Sequence, residues 1–181
     1  MLKKIKHLSL AVPLIVGAIT VQAKPLSLER IFDDPSLSGK SPVQLKFSPD
    51  GSRVTYLQGK TDDYNRYDLW EYNLEDNTNR VLVDSAELFS GPENLSDEEK
   101  ARRERQRIFG KGILEYTWST DGKALLFPLN GDLYYYDLAS AKSKKLTNTD
   151  AFETDARFSP KGNYVSFIRE QNLYALALNS G

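Results

Sequence analysis

The sequence predicts an all-β fold: an incomplete β-propeller of about three four-stranded blades, the last unfinished, with a charged α-helix inserted between the first two. Two landmarks predict it. An aromatic, a serine and a turn glycine recur in LKFSPDGSRVTYL, EYTWSTDGKALLF and ARFSPKGNYVSFI. A leucine-led strand follows each, in DLWEYNL, DLYYYDL and NLYALAL. Gly122 to Gly162 and Leu133 to Leu173 both span 40 residues, the length of one propeller blade.

The elements follow in chain order. MLKKIKH is cationic, LSLAVPLIVGAITV is apolar, and VQA supplies a small-residue ending. This layout predicts a signal peptide over residues 1–23, cleaved after Ala23, and hence a periplasmic or secreted protein. The apolar run is shorter than the ~20 residues a spanning helix needs, so no membrane association is expected after cleavage. Cleavage removes Lys3, Lys4 and Lys6 and no acid, taking the formal charge from −1 to −4. Residues 24–40 carry turn and helix signals and read as an N-terminal lead.

Residues 41–181 read as the partial propeller, with blade 1 over 41–84, a helical insert over 85–112, blade 2 over 113–150 and blade 3 over 151–181. The aromatics Phe47, Trp118 and Phe158 mark equivalent positions, as do Gly51, Gly122 and Gly162. Alternation places Trp70, Tyr72 and Leu74 on one strand face. Tyr134, Tyr136 and Leu138 are their counterparts in blade 2, and Tyr174, Leu176 and Leu178 in blade 3. The other face is also partly apolar, as expected of a strand held between two neighbouring sheets. RVLVD and SKKLT supply fourth strands to the first two blades, while three residues follow Leu178. The chain therefore reads as part of a longer protein, marginally stable alone and with exposed strand edges.

The interval between the first two blades is longer than 40 residues and holds NLSDEEKARRERQRI. Ser96 and Glu99 form a capping box, acids crowd the first turn and arginines the last, which suits the helix dipole. A helix is predicted over 96–108, ended by Phe109–Gly110, with Glu98–Arg102 and Glu99–Arg103 pairs. Arg103 and Arg107 fall on one face. Leu95, Ala101 and Ile108 are too few for an apolar stripe, so the helix is expected to project from the propeller rather than join its core.

Several chemistries are excluded. The chain has no cysteine, and its one histidine, His7, lies in the signal segment. A Ser-His-Asp triad, a Cys-His pair and a His-ligated metal are therefore impossible within the mature residues. No G-x-S-x-G elbow occurs. One charge-compensated helix offers few phosphate contacts, which argues against nucleic-acid binding. Asp33–Asp34 and Asp62–Asp63 read as solvated loop acids, and the Asn94-Leu95-Ser96 sequon spends its serine on the helix cap. No metal or cofactor is implied.

The signal peptide followed by LERIFDDPSLSGKSPVQLKFSPDG and RRERQRIFGKGILEYTWSTDGKALLFPLNGDLYYYD resembles the start of bacterial dipeptidyl peptidase IV-like enzymes, of the prolyl oligopeptidase class of serine peptidases. The resemblance implies a propeller capping a C-terminal α/β-hydrolase domain that carries the catalytic groups, with none of those groups in this chain. It implies release of N-terminal dipeptides, Xaa-Pro or Xaa-Ala, from peptides with a free N-terminus, and leaves a homodimer open. The last arginine of the RERxR stretch, Arg107, matches the family arginine that holds the dipeptide carbonyl, with Arg103 second. Glu98–Glu99 is not the family's amine-binding pair, which belongs to a later segment. The competing expectation is a non-enzymatic TolB/WD40-like periplasmic propeller that binds protein partners.

Overall fold

The computed structural model describes residues 25–33, 36–93 and 95–178. The expected signal segment with Ala23, Asp34, and the sequon's Asn94 lie outside them. The lead forms a short helix, α1 (Leu28–Phe32), capped by the Ser27 hydroxyl.

Three antiparallel sheets follow. Sheet 1 contains β1 (Val43–Phe47), β2 (Arg53–Gly59), β3 (Arg66–Asn73) and β4 (Asn79–Val83). The insert then runs through α2 (Ser85–Leu88), α3 (Asp97–Gln106) and β5 (Lys111–Gly112). Sheet 2 contains β6 (Thr117–Trp118), β7 (Ala124–Leu129), β8 (Asp132–Asp137) and β9 (Lys142–Lys145). Sheet 3 contains β10 (Glu153–Phe158), β11 (Tyr164–Arg169) and β12 (Asn172–Ala177). In each sheet the strands lie in chain order, the up-and-down arrangement of a propeller blade.

The repeat holds at the level of register. Phe47 pairs with Val54, Trp118 with Leu125 and Phe158 with Val165. The intervening turns match as well: Gly51, Gly122 and Gly162 donate their amides to the carbonyls of Ser48, Ser119 and Ser159 at 2.9, 3.0 and 2.9 Å. All three glycines have φ near +70° (72, 70 and 72°), where a side chain is strained. Farther along, the directly opposed pairs Tyr56–Trp70, Phe127–Tyr134 and Phe167–Tyr174 stack with centroids 6.4, 5.8 and 5.6 Å apart.

The two-faced strands of sheet 2 explain its near-continuous apolar run. Leu125, Phe127, Leu129, Tyr134 and Tyr136 join Leu57, Leu69 and Val83 in a core shared with sheet 1. Leu126 and Leu133 join Val165 and Phe167 in a second core shared with sheet 3. Each such side chain contributes roughly 1.5–3 kcal/mol by leaving water. The landmark aromatics sit at these seams. Trp118 donates its Nε1 hydrogen to Thr55 Oγ1 of sheet 1 at 2.9 Å, and Phe158 meets Tyr135 of sheet 2 edge-on at 6.2 Å. Phe47 is 68% exposed, because among the described residues no sheet covers that side of β1.

The insert departs from expectation at its far end. β5 joins sheet 1 as a fifth strand, parallel to β3, pairing Arg66 with Lys111 and Tyr67 with Gly112. A parallel two-residue pairing has no periodicity to announce it.

Candidate functional site

The insert is fastened to blade 1 before and after its helix. Asp68 is buried and accepts hydrogen bonds from the Ser85 amide and hydroxyl, both at 2.8 Å, which fixes the start of α2. Lys60 bridges Asp68 at 3.0 Å and Asp84 at 2.5 Å. Arg66 donates to the Phe89 carbonyl at 2.9 Å. On the return, Lys111 pairs with Asp63 at 2.8 Å. Gly112 has φ +82°, and a Cβ there would stand 2.6 Å from the Tyr67 carbonyl oxygen, so β5 can approach β3 only with glycine at this position.

Helix α3 is capped as predicted: Ser96 Oγ accepts the Glu99 amide at 3.2 Å. Its seating differs from the freely projecting helix the sequence predicts. Glu99 is 4% exposed and gathers both arginines, accepting from Arg102 Nε and Nη2 at 2.7 and 2.8 Å and from Arg103 Nε at 2.9 Å. Burial opposes its charge, but the bonds from Arg102 and Arg103 prevail and hold its carboxyl below the usual glutamate range. The expected Glu98–Arg102 pair does not form, because Arg102 turns to Glu99 and Gln106 instead. Charge, rather than an apolar stripe, anchors the helix.

Arg103 and Arg107 part company. Arg103 is committed to Glu99, to Glu93 Oε2 at 2.8 Å and, at 3.4 Å, to the Gly110 carbonyl. It thus clips the helix to the strand that follows. Arg107 lies outside the helix, which ends at Gln106 rather than 108. Arg107 is the left-handed cap, with φ 53° and ψ 39°, and its amide closes on the carbonyls of Arg103 and Glu104. Its side chain is exposed and has no ion pair among the described residues. It lines a depression of about 280 Å³ whose walls include Leu57, Tyr67, Ile108 and Leu114, with Gln44 and Glu115 as further polar members.

Glu115 and its counterparts escaped the sequence reading. Gln44, Glu115 and Asp155 each stand three residues before the landmark aromatic, so the alignment already held the signal. Gln44 and Asp155 sit at the same bulge of β1 and β10, with φ of 57 and 53°. The residues one before the aromatic are Lys46, Thr117 and Arg157. All six line one depression of about 460 Å³ along the first strands of the three sheets. Lys46 donates to the Tyr116 carbonyl, and Tyr116 Oη donates to the Gln44 carbonyl at 2.7 Å, tying blades 1 and 2 together. Burial pushes the Tyr116 phenol up to about 12, so it stays a donor. Glu115 Oε1 is buried with no hydrogen-bond partner among the described residues.

Comparison with known proteins bears on this arrangement. Residues 111–181, from β5 through sheet 3, match the family model of the dipeptidyl peptidase IV (DPP IV) N-terminal region. The fold of this chain recurs in solved structures. TolB from Acinetobacter baumannii superposes with a TM-score of 0.52 at 21% identity over 78% of this chain and 31% of its own. A putative TolB from Agrobacterium tumefaciens gives 0.51 at 16% identity over 75% and 42%. An oligogalacturonate lyase in complex with manganese gives 0.52 at 14% over 78% and 36%. The chain thus spans between about a third and two fifths of those chains, and at such identities the likeness concerns fold alone.

Proposed function

We propose that this chain is the N-terminal propeller portion of an exported serine exopeptidase that releases N-terminal dipeptides, with Xaa-Pro or Xaa-Ala preference, through an acyl-enzyme. The match of residues 111–181 to the dipeptidyl peptidase IV N-terminal region carries this reading. The cationic and apolar start of the chain supports export to the periplasm or beyond. The portion described here supplies substrate-facing surface, while a C-terminal hydrolase domain supplies nucleophile, base and oxyanion donors.

Within that reading Arg107 is the substrate contact. Its guanidinium is exposed, uncommitted among the described residues and set beside an apolar-walled depression, where fixed donors can meet a peptide carbonyl. Arg103 is a positioning residue that holds the cap carrying Arg107. In the full-length enzyme, Arg107→Ala should raise KM for a dipeptide nitroanilide by about ten- to a hundredfold, the usual worth of a hydrogen bond to a charged group. Unchanged kinetics would remove Arg107 from the site. The 181-residue chain alone should show no turnover.

A further inference from the structure

The depression beside Arg107 and the larger one are neighbours that share Gln44 and Glu115 in their walls. The larger space is amphoteric. Glu115 and Asp155 offer carboxylates, Lys46 and Arg157 offer cations, and Gln44 offers an amide. Some of this charge is already matched: Arg157 pairs with Asp155 at 2.8 Å, and Lys46 meets the Tyr116 carbonyl and, at 4.5 Å, the face of its ring. Arg157 and Lys46 keep further N–H donors for an incoming anion. Glu115 is different. Among the described residues one of its oxygens is buried without a donor, so its charge is incompletely matched by this chain's own groups.

We propose that this larger depression binds a free dipeptide, its ammonium on Glu115 and its carboxylate on Arg157 and Lys46. The inference rests on the peptidase reading. Attack of water on the acyl ester breaks the ester bond, returns one proton to the serine oxygen, releases the other to solvent and leaves the dipeptide with a new carboxylate beside its existing ammonium. A peptide substrate lacks that carboxylate at its second residue, so the groove distinguishes product from substrate and gives the released dipeptide a place to move to from Arg107.

Calorimetric titration of the 181-residue chain with Ala-Pro, its C-terminal amide and its N-acetyl form tests this without altering the protein. Free Ala-Pro should bind about tenfold more tightly than either blocked form, since each lacks one charge-assisted contact. Glu115→Gln should weaken Ala-Pro about tenfold and leave N-acetyl-Ala-Pro nearly unchanged. Arg157→Ala should weaken Ala-Pro and spare the amide. Equal affinity for all three ligands would overturn the product site. If the amide still depended on Arg107, that result would leave the peptidase reading standing. Failure of all three to bind would overturn the product site, while the peptidase reading would still be decided by the kinetics of the full-length enzyme.

Discussion

At the scale of single residues, the pair of arginines four positions apart shows how local surroundings divide labour. Arg103 neutralises two carboxylates at a nearly dry seam, with its side chain 13% exposed and those of Glu93 and Glu99 at 11% and 4%. Removing one partner of such a cluster strands the others. Arg103→Met should therefore destabilise the fold by about 2–3 kcal/mol, below the value for a fully buried pair because water still reaches Arg103. Urea denaturation measures it. Arg107→Met should change stability little, since its side chain is exposed. The stretch ARRERQR shows four arginines but not which of them has a buried partner, because that partner, Glu99, looks like an ordinary first-turn acid. Charge runs read as solvated faces until tertiary contacts are known.

At the scale of elements, the cap and the return strand can be tested separately. Ser96→Ala removes the acceptor for the Glu99 amide and should cost about 1 kcal/mol, read as lost helicity by circular dichroism. Gly112→Ala strains a positive φ and drives a methyl group into the Tyr67 carbonyl. It should cost ~2 kcal/mol or more in urea denaturation, because the neighbouring atom is backbone and cannot rotate away. The propeller strands were legible in the sequence because each repeats an aromatic, a turn and an alternation. The helix start was legible because Ser96 and Glu99 form a local signature. Its end was misplaced because Arg107, not a glycine, adopts the left-handed cap. β5 was not legible, since two residues pairing in parallel carry no pattern.

At the scale of the whole molecule, Glu153 ties blade 3 to blade 2. It is fully buried, and its amide donates to the Gly131 carbonyl at 2.9 Å. Its carboxyl accepts from the Thr147 hydroxyl, from Thr149 Oγ1 at 3.2 Å and from Arg169 at 3.3 Å. Burial pushes its pKa up from 4.5, and the hydroxyl bonds only partly offset this. The folded chain thus keeps this proton to higher pH than the unfolded chain. The group's stabilising effect is complete below about 4.5 and declines as pH rises through the folded value. Glu153→Gln should flatten that decline when urea midpoints are compared from pH 4.5 to neutrality. The seams themselves were foreseen from strands apolar on both faces; the buried acid within one was not, because its alternation slot gives no sign of the hydroxyls that receive it.

Phe47 occupies the position that Trp118 and Phe158 fill against a preceding sheet, yet it stands 68% exposed. With Leu45 at 61% and Val43 at 40%, it makes the first strand a strip of wet hydrocarbon. Such a strip is adhesive: it should take up an amphiphilic dye such as anilinonaphthalene sulfonate while the rest of the chain stays folded. Phe47→Ser should dim that fluorescence and leave the melting temperature nearly where it was, so in the 181-residue chain stickiness and stability can be tuned separately.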